Sequence, residues 1–506
     1  MLSVCVDWLL QNGWQDREVP QGRQRTLAEH LCQLLRQAIS TEALRPGERL
    51  PATRDLMQGL GVSRNTVMHA YEQLRMEGYV VSHVGSGTFV AEITPETLLK
   101  APRTQRGSTK AAVPVAPATV ELSARAHYIL QQGSAADKQW GAFMPGVPDV
   151  SEFPRAVYAR ILNRLWRHAQ PEMLTYGTSG GALPLKEALA DYLHIARGVQ
   201  CKPEQILITE GVHQAIDLTV RTLVNPQDAV WMENPGYWGI SNVLQMTADI
   251  RLVGCPLDAE GMTLDPQAPV PKLICVTPSH QYPMGTVMSL ARRKALLAYA
   301  RTHGAWVVED DYDSEFRFSS RPIPAMQGLE DDAPVIYIGT FSKTLFPGLR
   351  VGYIVLPEQL VEPMQRMHAE LYRQGHVVTQ LVLAELIRAG HYAKHIRRMR
   401  VMYAKRRQWL QTLIQRYLGP AYLAETDSQA GLHLVLQLPD HVNDVQLTQA
   451  LQKQGVLARP LSKYYRAAEG KKGLLLGYAC IEESAMQGAF FTLLKVLRQQ
   501  KALAAQ

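Results

Sequence analysis

One lysine in this sequence stands among residues that could bind a phosphorylated aldehyde. Lys343 follows the apolar run Val335–Ile338, so it lies where a buried strand opens into a loop. Thr340 and Ser342 precede it, and Arg350 follows seven residues later. A primary amine can form a Schiff base with an aldehyde, while hydroxyls and a guanidinium bind phosphate. This spacing indicates a site for pyridoxal 5′-phosphate (PLP).

A second strand that ends in polar residues supports this interpretation. The apolar run Trp306–Val308 is followed by Glu309, Asp310, Asp311 and Tyr312. A carboxylate beside the pyridine nitrogen of PLP keeps the ring protonated, so that the ring withdraws electrons. Either passage alone could be an ordinary core strand with a polar end. Their occurrence together, in this order, favours a PLP site.

These residues resemble the cofactor site of fold-type I, class I aminotransferases, and residues 309–317 resemble the variant of that site in MocR-type regulators. The resemblance implies that Lys343 is the catalytic, Schiff-base lysine, with Asp310 at the ring nitrogen and Tyr312 near the ring hydroxyl. It implies further cofactor contacts from Tyr237 by stacking, from the backbone amides of Val212 and His213, from Thr340, Ser342 and Arg350 to the phosphate, and from Tyr176 to the phosphate of a partner subunit in a homodimer.

Two parts of the site depart from that pattern. Residues 278–285 replace the Asn-Pro-x-Gly of ordinary aminotransferases, which leaves the ring-hydroxyl contact open between His280, Gln281 and Tyr312. Leu475 stands where the family has the arginine that binds the substrate carboxylate. A leucine cannot bind a carboxylate, and the sequence leaves open whether Arg459 or Arg466 replaces the missing group. We expect a site that binds PLP with transamination weakened or absent.

Residues 21–93 have the pattern of a helix-turn-helix followed by a β-hairpin. Thr26 and Glu29 have capping-box spacing, Gly61 makes a turn, and Ser63 can cap the next helix. Two helices joined by a short glycine turn place the start of the second helix against base edges in DNA. The segment resembles the winged helix of GntR-family repressors. The resemblance implies DNA contacts by Arg54, Ser63, Arg64, Asn65, Thr66 and, at the wing tip, Gly85.

The whole chain divides into segments of different composition. We predict an N-terminal extension over 1–20, the winged helix over 21–93, a flexible basic linker over 94–135 and an aminotransferase-like domain over 136–506. Apolar runs alternating with helical stretches predict an α/β domain with a mostly parallel central sheet and a smaller C-terminal α+β domain. Among 506 residues with a formal charge of +7, no apolar run reaches the length of a membrane span, and the six cysteines have no metal-binding spacing. With no secretory signal recognisable at the N-terminus, we expect a cytoplasmic protein without a metal site.

Two functions fit these features. The first is a MocR-type transcription regulator that binds a double-stranded DNA operator and senses PLP, an amine or an amino acid through a Schiff base at Lys343. The second is a working PLP-dependent aminotransferase with an accessory DNA-binding module. Loss of the carboxylate-binding arginine together with an intact winged helix favours the regulator.

Overall fold

The computed structural model describes residues 4–15, 26–83, 85–92, 121–132, 140–176, 180–318, 324–373, 375–424, 429–466, 470–500 and 502–503. The chain forms two compact units, Met1–Thr119 and Val120–Gln506. In the described part of the chain, no helix has both the length and the apolar character needed to cross a membrane.

The first unit is helical and ends in a β-hairpin. Its elements are α1 (Val4–Gln11), α2 (Leu27–Ser40), α3 (Thr53–Leu60), α4 (Arg64–Met76), β1 (Val80–His83) and β2 (Gly87–Val90). The hydroxyl of Thr26 accepts from the Glu29 amide, and the Glu29 carboxylate accepts from the Thr26 amide, which confirms the predicted capping box. Gly61 has φ +66°, so the turn before α4 uses the left-handed conformation that glycine tolerates. The predicted helix-turn-helix and wing are both formed.

Helix α1, which lies in the segment predicted as an N-terminal extension, packs in the core of this unit. Cys5, Val6 and Leu9 of α1 are buried in one hydrophobic core with Leu31 of α2 and Val67 of α4. Helix α1 lies against α2 and α3, so residues of the predicted extension contribute to this core.

The second unit is built on an eight-stranded sheet. Its strands are β3 (Ile206–Thr209), β4 (Ala229–Asn234), β5 (Arg251–Asp258), β6 (Gly261–Met262), β7 (Pro271–Val276), β8 (Trp306–Asp311), β9 (Val335–Thr340) and β10 (Gly352–Val355). The order is β3-β10-β9-β8-β7-β4-β5-β6. The five neighbours from β9 to β5 run parallel, whereas β10 is antiparallel to both of its neighbours and β6 is antiparallel to β5. The predicted mostly parallel sheet is confirmed.

Helices cover both faces of this sheet. The helices of the unit are α5 (Ala124–Gln132), α6 (Arg155–Arg167), α7 (Leu183–Arg197), α8 (Val212–Leu223), α9 (Trp238–Thr247), α10 (Leu290–His303), α11 (Glu358–Leu371), α12 (Val377–Arg388), α13 (His391–Tyr417), α14 (Asp444–Lys453) and α15 (Glu483–Gln499). On β7, Leu273 and Cys275 pack with α8 and α9, whereas Ile274 and Val276 pack with α10. Burial on both faces explains why the strands read as continuous apolar runs.

A smaller antiparallel sheet follows in the C-terminal part of the chain. It has the order β11-β13-β12, formed by β11 (His433–Leu438), β12 (Arg459–Pro460) and β13 (Lys472–Gly477). This sheet and the helices α14 and α15 form the predicted smaller α+β portion.

The predicted linker is only partly within the described residues. Residues 94–120 and 133–135 lie outside them, so the prediction of flexibility there is not tested. Within the segment predicted as a flexible basic linker, residues 124–132 form α5, where the Ser123 hydroxyl accepts from the Ala126 amide. The helix also lies against α9, with Gln245 Nε2 donating to the Tyr128 hydroxyl at 3.2 Å. Because the sequence before residue 120 is rich in proline, composition alone does not predict this short helix.

Candidate functional site

A cavity of about 490 Å³ lies where the ends of the central strands meet the C-terminal sheet. Parallel strands bring the residues after their carboxyl ends to one edge of a sheet, where ligands of such folds bind. The cavity is lined by Met144, Pro145, Gly146, Val147, Val212, His213, Tyr237, Trp238, Thr277, Tyr282, Asp310, Tyr312, Thr340, Ser342, Lys343, Pro347, Gly348, Arg350, Arg459 and Tyr464. Nine of the eleven predicted cofactor-binding residues are therefore brought together.

Lys343 lies just past β9 with its amine inside the cavity wall. Its Nζ donates to the carbonyl oxygen of Gly146 at 2.7 Å. Burial lowers the pKa of the Lys343 amine below its ordinary value, against the opposing negative charges of Asp313 and Asp310. An amine with a lowered pKa is more often neutral, and only a neutral amine attacks a carbonyl group.

The carboxylate of Asp310, near the end of β8, is suited to pair with a buried cation. Its Oδ1 atom is buried and has no hydrogen-bond partner among the described residues. Burial, together with the neighbouring charge of Asp311, raises the pKa of Asp310 from 3.8 to about 7. A buried carboxylate without a donor is costly, and a protonated pyridine nitrogen would supply one. This orphaned oxygen is the observation that fits the ring nitrogen of PLP.

The ends of β3 and β9 and the start of α8 form a site suited to an anion. Gly352 of β10 pairs with Thr209 on one side and Thr340 on the other, which brings the ends of β3 and β9 together. Gly211 has φ +89° and precedes α8, and the amides in the first turn of a helix are suited to bind an anion. A side chain at Gly211 would lie 3.1 Å from the Arg350 guanidinium, so the glycine lets the arginine approach the helix.

The other side chains near the start of α8 are basic or carry hydroxyl groups. Arg350 donates from Nη2 to the Glu210 carbonyl at 2.7 Å, which fixes its guanidinium beside α8. Burial lowers the pKa of His213, and the charges of Arg350 and Lys343 lower it further. The Thr340 hydroxyl accepts from the Ser342 amide at 3.1 Å, so both residues are ordered in the loop before Lys343. A phosphate group fits this set of donors.

Two predicted residues do not reach the cavity. Tyr176 is 71% exposed and stacks under the Arg373 guanidinium, at 4.8 Å. The contact to a partner subunit that the sequence predicts for Tyr176 stays a prediction. His280 is buried behind Tyr312, and its Nδ1 lies 3.0 Å from the Tyr312 hydroxyl. Of the three candidates for the ring hydroxyl, Tyr312 lines the cavity, while His280 and Gln281 do not.

Several lining residues were missed by sequence reasoning. Tyr282 and Tyr464 face each other, with hydroxyl oxygens 3.2 Å apart, and Tyr237 meets Tyr282 edge to face. Thr277 donates to the buried carboxylate of Glu233 at 2.5 Å, which ties the ends of β4 and β7 together. Tyr282 stands in the segment that departs from the aminotransferase pattern, so that departure was the available signal. Tyr464 carries no local signal of a role in the cavity.

Leu475 and the two arginines that the sequence left open, Arg459 and Arg466, differ in whether they line the cavity. Leu475 is fully buried in β13 and packs with Val435 and Leu461, so it does not line the cavity. Arg459 on the neighbouring strand β12 does line it, whereas Arg466 does not. Of the two arginines left open by the sequence, Arg459 is the one placed to meet an anionic ligand.

The predicted DNA-contacting residues lie at the start of α4, in the turn before it, on α3 and in the β-hairpin. Arg54 is exposed near the start of α3, Arg64 and Asn65 are exposed at the start of α4, and Gly85 is exposed in the hairpin. The Ser63 hydroxyl accepts from the Thr66 amide at 3.2 Å and lies 2.8 Å from the Thr66 hydroxyl, so it caps α4. These positions leave the first turn of α4 open to a nucleic acid.

Both units match known families. Residues 27–90 match the profile described as bacterial regulatory proteins of the gntR family, and residues 146–474 match aminotransferase class I and II. The chain is 40% identical over 474 residues to a Rhizobium meliloti protein named probable rhizopine catabolism regulatory protein MocR, covering 94% of this chain and 93% of that one. It is 31% identical over 468 residues to the HTH-type pyridoxine biosynthesis transcriptional regulator PdxR of Corynebacterium glutamicum, covering 91% and 94%.

Solved structures resemble the second unit. Kynurenine aminotransferase of Pyrococcus horikoshii has a TM-score of 0.65 at 27% identity, covering 75% of this chain and 95% of that structure. LysN, the α-aminoadipate aminotransferase of Thermus thermophilus complexed with N-(5′-phosphopyridoxyl)-L-leucine, has a TM-score of 0.65 at 26% identity, covering 75% and 96%. The two segments matched by the profiles fall within the two compact units.

Proposed function

Because the chain belongs to the MocR-type regulators, in which a GntR-family unit is joined to an aminotransferase-like unit, we propose that it is a PLP-dependent transcription regulator. The first unit binds an operator in double-stranded DNA. The second unit binds PLP at Lys343 and senses either PLP itself or an amine or amino acid that reaches the same cavity.

The observation that carries this proposal is the pairing of complementary groups inside one cavity. One carboxylate oxygen of Asp310 is buried and has no donor among the residues that the structure describes, and Asp310 lines the same cavity as Lys343. Thr340, Ser342 and Arg350, with the free amides that begin α8, form an anion site there. A ligand with a basic ring nitrogen, an aldehyde and a phosphate satisfies all three.

The roles of the chain's residues follow from these contacts. When bound, PLP supplies an aldehyde that forms a Schiff base with a primary amine and a ring that withdraws electrons. Asp310 would hold a proton at the ring nitrogen, and Tyr237 would supply an aromatic surface for the ring. Lys343, with its lowered pKa, provides the attacking amine. Tyr282, Trp238 and Tyr464 add aromatic side chains to the wall of the same cavity.

Arg459 favours an effector that carries a carboxylate as well as an amine. A guanidinium binds a carboxylate by two parallel hydrogen bonds, and Arg459 lines the cavity that contains Lys343. The same arginine supports the second candidate, an aminotransferase with an accessory DNA-binding unit, because it could anchor an amino-acid substrate.

Operator affinity separates the two candidates. An operator is selected from a random DNA pool with the full-length protein, and its affinity is then measured without PLP, with PLP, and with PLP plus candidate amines or amino acids. A sensor must bind DNA differently in at least one pair of these states, and coupling of this kind typically changes affinity by about 5- to 150-fold.

Transamination is measured on the same preparations with an amino donor and a keto acid. The regulator proposal fails if operator affinity is equal in all states while amino-group transfer runs at ordinary enzymatic rates. Lys343→Ala serves as the matched control, because it keeps the DNA-binding unit and removes the amine.

A further inference from the structure

The side chains of Asp313, His280 and Tyr312 are hydrogen-bonding neighbours, and the cofactor contacts described above do not explain Asp313 or His280. His280 Nδ1 lies 3.0 Å from Asp313 Oδ2 and 3.2 Å from Asp313 Oδ1. The Tyr312 hydroxyl oxygen lies 3.0 Å from that same nitrogen. Asp313 and His280 are 1% and 4% exposed in their side chains, so both are shielded from water. Only Tyr312 lines the cavity.

One imidazole nitrogen cannot serve both neighbours in the same way. A carboxylate only accepts hydrogen bonds, so a nitrogen 3.0 Å from it must carry the hydrogen. Without a hydrogen on Nδ1, the lone pair of this nitrogen would face the lone pairs of the Asp313 carboxylate at that distance, and the two would repel each other. With hydrogen on Nδ1, this nitrogen cannot accept the hydroxyl hydrogen of Tyr312. That hydrogen must therefore point elsewhere, and Tyr312 lines the cavity.

Close packing against Gly431 holds the His280 ring in this position. A side chain at Gly431 would lie 2.0 Å from His280 Cε1 and 2.6 Å from Nδ1, so the ring fills the space that this glycine leaves. Gly431 has φ +82°, which most other residues adopt only with strain. Burial raises the pKa of Tyr312 well above its ordinary value, and the charge of Asp313 adds to the effect. Tyr312 thus keeps a hydrogen to donate at neutral pH.

We propose that Asp313 and His280 are positioning residues that orient the Tyr312 hydroxyl to donate into the cavity, toward the ring oxygen of the bound cofactor. This inference rests on the proposed binding of PLP. The ring oxygen of PLP accepts hydrogen bonds, most strongly when it is ionised. His280 therefore acts on that oxygen through Tyr312, and it does not contact the oxygen itself.

An analogue without the ring oxygen tests this role. Dissociation constants for PLP and for 3-deoxypyridoxal 5′-phosphate are measured by absorbance titration of the full-length protein, and their ratio gives the preference for the ring oxygen. Tyr312→Phe should reduce the preference about tenfold, the effect of losing one hydrogen bond to a charged acceptor. Asp313→Asn should reduce it by a similar factor, because the His280 Nδ1 then no longer has to carry a hydrogen and can accept the Tyr312 hydroxyl hydrogen. His280→Asn should keep most of the preference, because its amide can still donate to Asp313.

The combined variant distinguishes positioning from general damage. Asp313→Asn added to Tyr312→Phe should change the preference less than about twofold, because Asp313 acts only through Tyr312. Loss of affinity for both compounds by the same factor in Asp313→Asn overturns the inference, since that result would mean a structural role or an effect on Lys343. A full tenfold effect of Asp313→Asn in the Tyr312→Phe background overturns it as well. If the wild-type protein binds neither compound, the proposed function fails, and this inference fails with it.

Discussion

Arg459 and Leu475 are direct neighbours on β12 and β13, and of this pair only the arginine lines the cavity. Leu475 occupies the position where the aminotransferase pattern has its carboxylate-binding arginine, and it is fully buried. A positive charge is therefore present in the cavity, supplied from the adjacent strand. Arg459 is therefore the guanidinium that we propose for binding a carboxylate of the effector.

Replacing Arg459 tests whether this charge binds a carboxylate. Arg459→Gln should weaken the effect of an amino acid on operator affinity about tenfold or more, because a charge-assisted hydrogen bond is lost. The response to the corresponding amine without a carboxylate should stay the same, and so should PLP absorbance. The measurement is a gel-shift titration with each ligand. Arg466→Gln is the matched control, since Arg466 does not line the cavity. An equal loss for the amino acid and the amine would contradict a carboxylate-binding role.

Lys343 should be the residue that binds PLP covalently. The wild-type protein with PLP should show a visible band at roughly 410–430 nm, the range of a protonated Schiff base, and Lys343→Ala should lack it. Lys294→Ala, at an exposed position of α10, should keep the band. Mass spectrometry after borohydride reduction should place the adduct on Lys343. An adduct that persists in Lys343→Ala would show that another lysine is used.

Asp310 should make the PLP-free protein less stable as the pH rises. The folded-state pKa of about 7 is above the ordinary 3.8, so between these values the folded protein keeps a proton that the unfolded chain has lost. Stability therefore falls as pH rises through this window. Asp310→Asn removes the dependence, so the melting temperature of the variant should exceed that of the wild type by more at pH 8 than at pH 5. The same variant should bind PLP more weakly, because an amide does not hold a proton on the ring nitrogen.

Thermal unfolding of both proteins at the two pH values provides the measurement. Asp265→Asn, at an exposed position, is the control and should give no such pH-dependent difference. A difference between Asp310→Asn and wild type that is equal at pH 5 and pH 8 would mean that Asp310 does not titrate in this window.

Arg64 should contribute directly to operator recognition. Arg64→Ala should weaken specific DNA binding by about 1–3 kcal/mol, the usual contribution of an arginine to a guanine edge, and should leave PLP absorbance unchanged. Arg75→Ala is a matched control on the last turn of α4, where Arg75 pairs with Glu72 at 3.3 Å. Equal operator affinity of Arg64→Ala and wild type would remove Arg64 from the recognition surface.

Local sequence predicted the strands that carry the central site residues, and the resemblance to class I aminotransferases implied most of the other cofactor residues. Apolar runs predicted β8 and β9, because strands buried on both faces need apolar side chains at every position. The residues that follow these strands could then be assigned to one site, since the carboxyl ends of parallel strands meet at one edge. The capping box at Thr26 and the turn at Gly61 were also readable, because a cap depends on residues within one helical turn.

Only the tertiary structure decided which side chains reach the cavity. Arg459 and Arg466 are both basic and lie seven residues apart, yet the pairing of β12 with β13 brings only Arg459 to the cavity. His280 and Tyr312 come from different loops, and their contact at 3.0 Å places the phenol at the cavity and the imidazole behind it. Residue type is a property of the sequence, but the direction of a side chain depends on strand register and on packing between segments far apart in the chain.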